Sequence, residues 1–333
     1  MRIGDIAPEE IVVGIRSGNR RMLAKAITLV ESLLPEHQRV AQEVLDRILP
    51  YTGNAVRLGI SGVPGVGKST FIESLGMMLI RSGKRVAVLA VDPSSTRSGG
   101  SILADKTRME KLSVEEAAFI RPSPSGGTLG GVARKTRETL LICEAAGFDV
   151  IVVETVGVGQ SEVAVSAMVD FFLVLMLAGA GDEIQGIKKG ILEMADAIAI
   201  NKADGDNLEK ANLARKDYEN ALHLLTPNSP FWTPPVLTCS ALEMRGIDTI
   251  WETVLEHRRR LIEHGALDAM RKKQAVSWMW SLIEEGLKMR FDSHPLVRQQ
   301  LPGLLAQVET GQTTASAAAE RLLRVLDTEP SIG

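Results

Sequence analysis

Nine consecutive residues decide most of what this chain can fold into. Gly62, Val63, Pro64, Gly65, Val66, Gly67, Lys68, Ser69 and Thr70 spell GVPGVGKST, with the strand-like RLGIS before them and the helix-like FIESLGMMLI after. This is the G-x-x-x-x-G-K-[ST] pattern in the setting it requires. The glycines let successive backbone N–H groups turn inward around a phosphate, and the positive end of the following helix points at the same place. Lys68 is then placed to reach β- and γ-phosphate oxygens, and Ser69 to ligate magnesium. A strand–loop–helix of this kind also calls for a parallel sheet with helices packed on it.

The remaining sequence is consistent with that fold. From Val56 onward, short β-rich runs (VRLGIS, RVAVLAVD, DVIVVE, FFLVLML, AIAIN, PVLTCS) alternate with segments of helical period. That alternation predicts an α/β P-loop NTPase with a mainly parallel central sheet flanked by helices, its ligand loops at the carboxyl ends of the strands. Residues 1–55 read as an N-terminal helical extension, in which Asn19 caps a helix carrying Met22, Leu23, Ala26, Ile27 and Val30, and a third helix stops at Pro50. Residues 56–248 form the P-loop core. Residues 249–333 form a C-terminal helical arm, with breaks expected near Gly265, Pro295, Pro302 and Gly311. In that arm Ala275, Trp278, Met279, Leu282 and Ile283 share one helix face. Trp278 and Trp280 cannot both sit at its centre, and two of the chain's four tryptophans so close together raise the expectation of a partner interface.

Composition narrows the partners. A net charge of −3 gives no electrostatic reason to expect nucleic acid. The longest apolar run, FFLVLMLAGAG, is short of the about 20 residues a membrane span needs. Asp5, Glu9 and Glu10 interrupt the N-terminus, so no secretory signal is read there. Cys143 and Cys239 stand alone as reduced thiols, and a cytoplasmic compartment follows.

The base is legible farther on. AIAINKAD supplies Asn201, Lys202 and Asp204 in the N-K-x-D arrangement. The Asp204 carboxylate can accept from both the N1–H and the N2–H of guanine, where adenine offers no matching donor pair. Asn201 can orient the loop, and the Lys202 stem can lie over the ring. Leaving such groups unpaired with the wrong base discriminates by roughly 10⁴-fold. TCSAL resembles the second guanine loop of GTP-binding proteins, with Ser240, Ala241 and Leu242, where a backbone N–H near Ala241 meets the guanine O6. In order after a phosphate loop, these signals select GTP over ATP.

Three carboxylates compete for the magnesium sphere. Asp92 ends RVAVLAVD, Asp105 lies in SGGSILADKTRM, and Glu154 ends DVIVVE, where most GTP-hydrolysing switches carry Asp. Magnesium on a triphosphate keeps several waters, so a longer Glu can act through one of them. The lesser alternative for Asp92 and Asp105 is that they are caps or surface charges. Gln160 is a candidate for positioning the attacking water, although its spacing departs from the usual switch glutamine. The loop GAGDEIQGIKKG, with Asp182, Gln185 and Lys188, should lie at the phosphate rim or be a solvated connection. No arginine finger is identifiable, which predicts slow turnover that a partner accelerates.

GVPGVGKST, VDPSSTRSGGSILADKTRM, TLGGVARKT, ETVGVGQSE and NKAD, in this order, resemble the methylmalonyl-CoA-mutase-associated G-protein chaperones (the MeaB family), to which the human methylmalonic aciduria type A protein belongs. The likeness runs through most of residues 56–245. It implies GTP/GDP and Mg2+ as ligands, switches at residues 92–108 (with Arg108), 154–166 and about 177–188, and a homodimer built with the C-terminal arm. It further implies an adenosylcobalamin-dependent methylmalonyl-CoA mutase as partner, whose cofactor loading GTP binding and hydrolysis would gate and which the chaperone would protect from inactivation. Three other readings share parts of this pattern. A nickel-insertion GTPase would bring Cys or His clusters, a small-molecule or protein kinase would need an acceptor pocket with a base, and a targeting GTPase would bring a signal-binding module. None of these additions is visible in the sequence.

Overall fold

The computed structural model describes residues 6–91, 109–122, 129–155, 161–179, 189–223 and 230–327. Three helices come first: α1 (Pro8–Arg16), α2 (Arg20–Glu31) and α3 (Pro35–Ile48). The Asn19 side chain accepts hydrogen bonds from the backbone N–H groups of Arg21 at 3.0 Å and Met22 at 3.1 Å, satisfying two of the first-turn donors of α2. The capped helix buries Met22, Leu23, Ala26, Ile27, Leu29 and Val30.

Seven strands follow among the described residues: β1 (Val56–Gly62), β2 (Val86–Val91), β3 (Ala118–Arg121), β4 (Val150–Thr155), β5 (Phe171–Leu177), β6 (Ala197–Asn201) and β7 (Val236–Thr238). They form one sheet in the order β3-β2-β4-β1-β5-β6-β7, every pair parallel. The order reverses beside β1, so the loop after β1 opens at the crevice where ligands bind such sheets. Six strands match the β-rich runs of the sequence. The seventh, β3, is a four-residue edge strand too short to show a pattern. Helix α2 reaches it through side chains: the Arg20 guanidinium donates to the carbonyl oxygens of Glu116 at 3.0 Å, just before the strand, and Ala118 at 2.7 Å.

Between and after the strands run α4 (Lys68–Arg81), α5 (Glu110–Ser113), α6 (Leu129–Ala145), α7 (Ser161–Ser166), α8 (Lys189–Met194), α9 (Leu208–His223), α10 (Ile247–Glu263), α11 (Ala266–Ser293), α12 (Pro295–Glu309) and α13 (Ala315–Asp327). Helices α4 and α10 cover one face of the sheet, burying Leu58, Ile60, Leu173 and Leu175 with Phe71, Leu75 and Val254. Helices α6, α7, α8 and α9 cover the other, over Ile151, Val153, Phe172 and Val174, and the three N-terminal helices pack against α6. Both cysteines are free and buried. No helix among the described residues is long and apolar enough to cross a membrane.

At the amino ends of the strands a buried ion network ties the elements together. Asp170, just before β5, accepts from the Arg57 backbone N–H at 3.0 Å and from Arg271 at 2.6 and 2.7 Å, with Arg258 at 3.4 Å. Arg57 itself pairs with Glu144 at 2.8 Å, and Glu144 also accepts from the Gly53 N–H at 2.9 Å. Almost every acceptor lone pair is used, the condition under which buried charge is tolerated.

The chain divides into two compact units, residues 1–271 and 272–333. Within the second, α12 and α13 pack through Val297, Leu304, Ala318, Leu322 and Val325. The breaks at Gly265, Pro295 and Gly311 are present, but Pro302 lies inside α12 and does not end it. Pro302 is on an exposed face, where water can take the carbonyl its ring leaves unpaired, while Val297 and Leu304 hold the helix from the buried side.

His257 of α10 is wedged edge-on between Phe171, at 5.1 Å, and Trp232, at 4.9 Å between ring centres. Burial lowers its pKa from 6.5 to about 4. The unfolded chain therefore takes up this proton first, and acidification from pH 6.5 toward 4 favours unfolding. We expect a His257→Gln variant to show a shallower loss of thermal stability between pH 7 and pH 5 than the unsubstituted chain. Equal slopes in melting curves over that range would contradict this.

Candidate nucleotide site

The phosphate loop has the backbone its sequence demands. Gly62, Gly65 and Gly67 all have positive φ, at 154°, 76° and 93°. At Gly62 a Cβ would lie 2.4 Å from the Leu175 carbonyl oxygen, so the loop leaves the sheet through a space only glycine fits. Val66 is fully buried beneath the loop, while Pro64 and Gly65 are exposed at its rim and Val63 is half-buried. Helix α4 starts at Lys68, and the half-buried Lys68 Nζ donates to the carbonyl oxygens of Gly62 at 2.8 Å and Val63 at 3.3 Å. Ser69 is half-buried in the first turn, and Thr70 is exposed.

On the far side of β5, β6 ends in Asn201, which is 1% exposed. Three of its four hydrogen-bonding positions are used: Nδ2 donates to the Val66 carbonyl at 2.8 Å, and Oδ1 accepts from the Ala241 N–H at 3.1 Å and from the Cys239 thiol at 3.5 Å. One side chain thus joins the phosphate loop to the loop after β7. Burial pushes the Cys239 thiol pKa up to about 12, which leaves it a neutral donor. Lys202 next in the chain takes φ 58°, a left-handed conformation uncommon for lysine. Its carbonyl accepts from Asn207 at 2.7 Å, and its Nζ crosses to the Gly65 carbonyl at 2.8 Å. The stem of Lys202 therefore spans the gap between the two loops.

Asp204 is half-buried and faces Ser240, whose hydroxyl donates to Oδ2 at 2.5 Å and accepts from the Glu243 N–H at 3.1 Å. Ser240 also exchanges both backbone hydrogen bonds with Arg245 at 3.0 Å, closing the 240–245 loop into a tight hairpin-like turn. Ser74 of α4 donates to the Ala241 carbonyl at 2.7 Å, so the helix behind the phosphate loop also anchors this second loop. Ser240 and Ala241 are buried, whereas Leu242 is 81% exposed at the loop tip.

Glu154 stands opposite Ile60 of β1 and Ala90 of β2 in the sheet register. Ile60 packs with Phe71, Ile72 and Leu75 of α4, so Glu154 lies on the α4 side of the sheet, half-buried at the carboxyl end of β4. Asp92, Asp105, Arg108, Gln160, Asp182, Gln185 and Lys188 lie outside the described residues.

The structure thus gathers Lys68, Ser69, Asn201, Lys202, Asp204, Ser240 and Ala241 from three strand ends into one crevice. Sequence reading missed the supporting roles of Ser74 and Cys239, which hold the second loop from behind. Ser74 belongs to no motif, and Cys239, although it lies within TCSAL, shows no such role there; only the packing of α4 and Asn201 against the loop after β7 reveals them.

The family described as Methylmalonyl Co-A mutase-associated GTPase MeaB matches residues 23–295. The chain belongs to the MeaB family. Family relatives are close over nearly the whole length. The GTPase ArgK of Escherichia coli is 54% identical over 85% of this chain and 86% of its own. The mouse methylmalonic aciduria type A homolog, mitochondrial, is 46% identical over 95% of this chain and 79% of its own. A solved structure described as a LAO/AO transport system kinase superposes with TM-score 0.79 at 43% identity, covering 97% of this chain and 98% of that one. With its MeaB-family relatives named as GTPases, the chain is a GTP hydrolase on a P-loop fold.

Proposed function

We propose that this GTPase serves an adenosylcobalamin-dependent methylmalonyl-CoA mutase, gating the loading of the mutase's cofactor and protecting it from inactivation. The observation that carries the GTP part is the Asn201 bridge, which sets a phosphate loop and a guanine-type loop at a fixed separation. The mutase part is supported by the description of the matching family and by the name of its mouse relative.

In this reading the triphosphate lies in the Gly62–Thr70 loop. The Lys68 ammonium exchanges its hold on the Gly62 and Val63 carbonyls for β- and γ-phosphate oxygens. The guanine lies along the Lys202 stem, with Asp204 accepting its N1–H and N2–H and a backbone N–H near Ala241 meeting O6. Ser240 holds Asp204 in that orientation through the 2.5 Å hydrogen bond. The Ser69 hydroxyl and the Glu154 carboxyl group are hard oxygen donors on the same side of the sheet, a set that fits Mg2+. Asp92 and Asp105 complete the candidate set. When bound, the metal supplies neutralisation of charge on the β- and γ-phosphates. Gln160, Arg108, Asp182, Gln185 and Lys188 are assigned to the switches, and the absence of an arginine finger from the sequence motifs supports a partner-stimulated cycle. A cytoplasmic location, with neither membrane nor nucleic acid as partner, belongs to the same reading.

The C-terminal arm supports a homodimer. On α11, Ala275, Met279, Leu282, Ile283 and Leu287 recur at helical spacing, with Met279 48% and Ile283 39% exposed.

Three outcomes follow. Asp204→Asn should shift preference from GTP toward xanthosine triphosphate, because an amide donates where the carboxylate accepts; unchanged guanine selectivity in a nucleotide competition assay would sink the assignment. Steady-state GTP hydrolysis should rise at least about tenfold when the host's methylmalonyl-CoA mutase is added, with ATP inert. Equal rates with and without the mutase would count against that client. Finally, Met279→Asp with Ile283→Asp should convert a dimer to a monomer in sedimentation velocity, and a monomeric unsubstituted chain would refute the dimer.

A further inference from the structure

Four polar side chains that no nucleotide motif explains are buried together beneath the carboxyl ends of β1 and β4. Glu162, the second residue of α7, is 0% exposed, and Ser61, Thr155 and Ser161 are at most 1% exposed. The Glu162 Oε1 accepts from the hydroxyls of Ser61 and Thr155, each at 3.3 Å, and Oε2 accepts from Ser161 at 3.3 Å. Thr155 also donates to the Ser61 hydroxyl at 2.8 Å. Thr155 has one proton, so it serves one of these two neighbours at a time.

As a structural element this is a poor bargain. A fully buried carboxyl group is costly unless it is well satisfied, and these hydroxyl contacts are at the long end of the hydrogen-bonding range. No basic side chain pairs with Glu162 among the described residues. An apolar side chain of similar volume would fill the position at lower cost to the fold.

The partners show what the group holds. Ser61 immediately precedes Gly62 of the phosphate loop. Thr155 immediately follows Glu154 at the end of β4, and Ser161 opens α7. Strand alternation separates this cluster from the nucleotide. A Cβ on Gly59 would meet Phe172, Val169 and Val165, on the face away from α4, and Ser61 two residues later shares that face. Thr155, one residue past Glu154, points the same way. Glu162 therefore cannot touch phosphate or metal. It grips the strand ends from below, one carboxyl group binding the last residue before the phosphate loop, the last residue of β4 and the first residue of α7.

We infer that Glu162 is a positioning residue for GTP hydrolysis, holding the phosphate loop in register with the strand end that carries Glu154. The inference rests on the GTPase reading. It separates nucleotide binding from turnover: the groups that contact the base and the loop amides lie elsewhere, whereas the relation of Lys68 to Glu154 depends on this clamp.

The test compares Glu162→Leu, Glu162→Gln and Ser61→Ala in the full chain, by GTP turnover, GDP affinity and thermal unfolding. The amide of Gln can accept from Ser61 or Thr155 and donate to Ser161, since hydroxyls do both, so Glu162→Gln should keep kcat within about threefold of the unsubstituted chain. Glu162→Leu leaves the Ser61 and Ser161 hydroxyls without their acceptor and Thr155 with Ser61 alone, and should lower kcat by about tenfold or more through loss of alignment, with GDP affinity within about threefold. Ser61→Ala, the milder change, should lower kcat in the same direction with an unchanged melting temperature, which guards against mere unfolding of the Leu variant. Wild-type kcat in Ser61→Ala and Glu162→Leu would overturn the inference. So would a parallel loss of kcat and GDP affinity, or failure of Gln to rescue. Absence of GTP turnover in the unsubstituted chain would overturn the GTPase reading itself, and the inference with it.

Discussion

Asn201 occupies the point on which the two halves of the nucleotide site depend. Strands β1 and β6 are separated by β5, a gap of about 10 Å. The phosphate loop leaves one and the guanine-type loop approaches the other. A ligand with a phosphate chain at one end and a base at the other is gripped at both ends without added ordering cost when that separation is held in advance. The buried amide does this by donating to Val66 and accepting from Ala241. Removing it would strand a carbonyl and an N–H in a dry place, so the bridge is costly to break. The long Lys202 side chain and the Ser74 hydroxyl span the same gap on either side, which makes the crevice a three-point construction.

The two ends of the sheet treat buried charge differently. At the amino ends, Asp170 and Glu144 are met by Arg57, Arg258, Arg271 and backbone N–H groups, at distances from 2.6 to 3.4 Å. That network binds β1, β5, α6 and the start of α11 into one frame. At the carboxyl ends, Glu162 meets only hydroxyls among the described residues, all at 3.3 Å. A well-satisfied network rigidifies, whereas a loosely satisfied one sits where local alignment matters more than stability. The division matches the general rule that parallel sheets bind ligands at their carboxyl ends.

Residues 62–70 and 201–204 needed no fold to be read. Each motif has few backbone solutions, and glycines with positive φ at Gly62, Gly65 and Gly67 allow one of them. The larger strands were equally legible, because being buried on both faces leaves an unbroken apolar run. Strand β3 was not, since four residues carry no period and its place at the edge is set by pairing with β2. Pro302 was misread as a break because sequence alone does not say which helix face water reaches.

By itself, then, the chain's order of residues determined the parallel α/β sheet, the phosphate loop, the preference for guanine and the position of the first crossover, since each follows from local chemistry and short-range periodicity. Only the tertiary structure decided which side of the sheet Glu154 faces, that Asn201 reaches back 135 residues to Val66, and that Ser61, Thr155 and Glu162 meet under two strand ends. Those outcomes turn on strand order and on alternation across neighbouring strands. Both are set when distant segments pair, and neither leaves a mark within any one stretch of sequence.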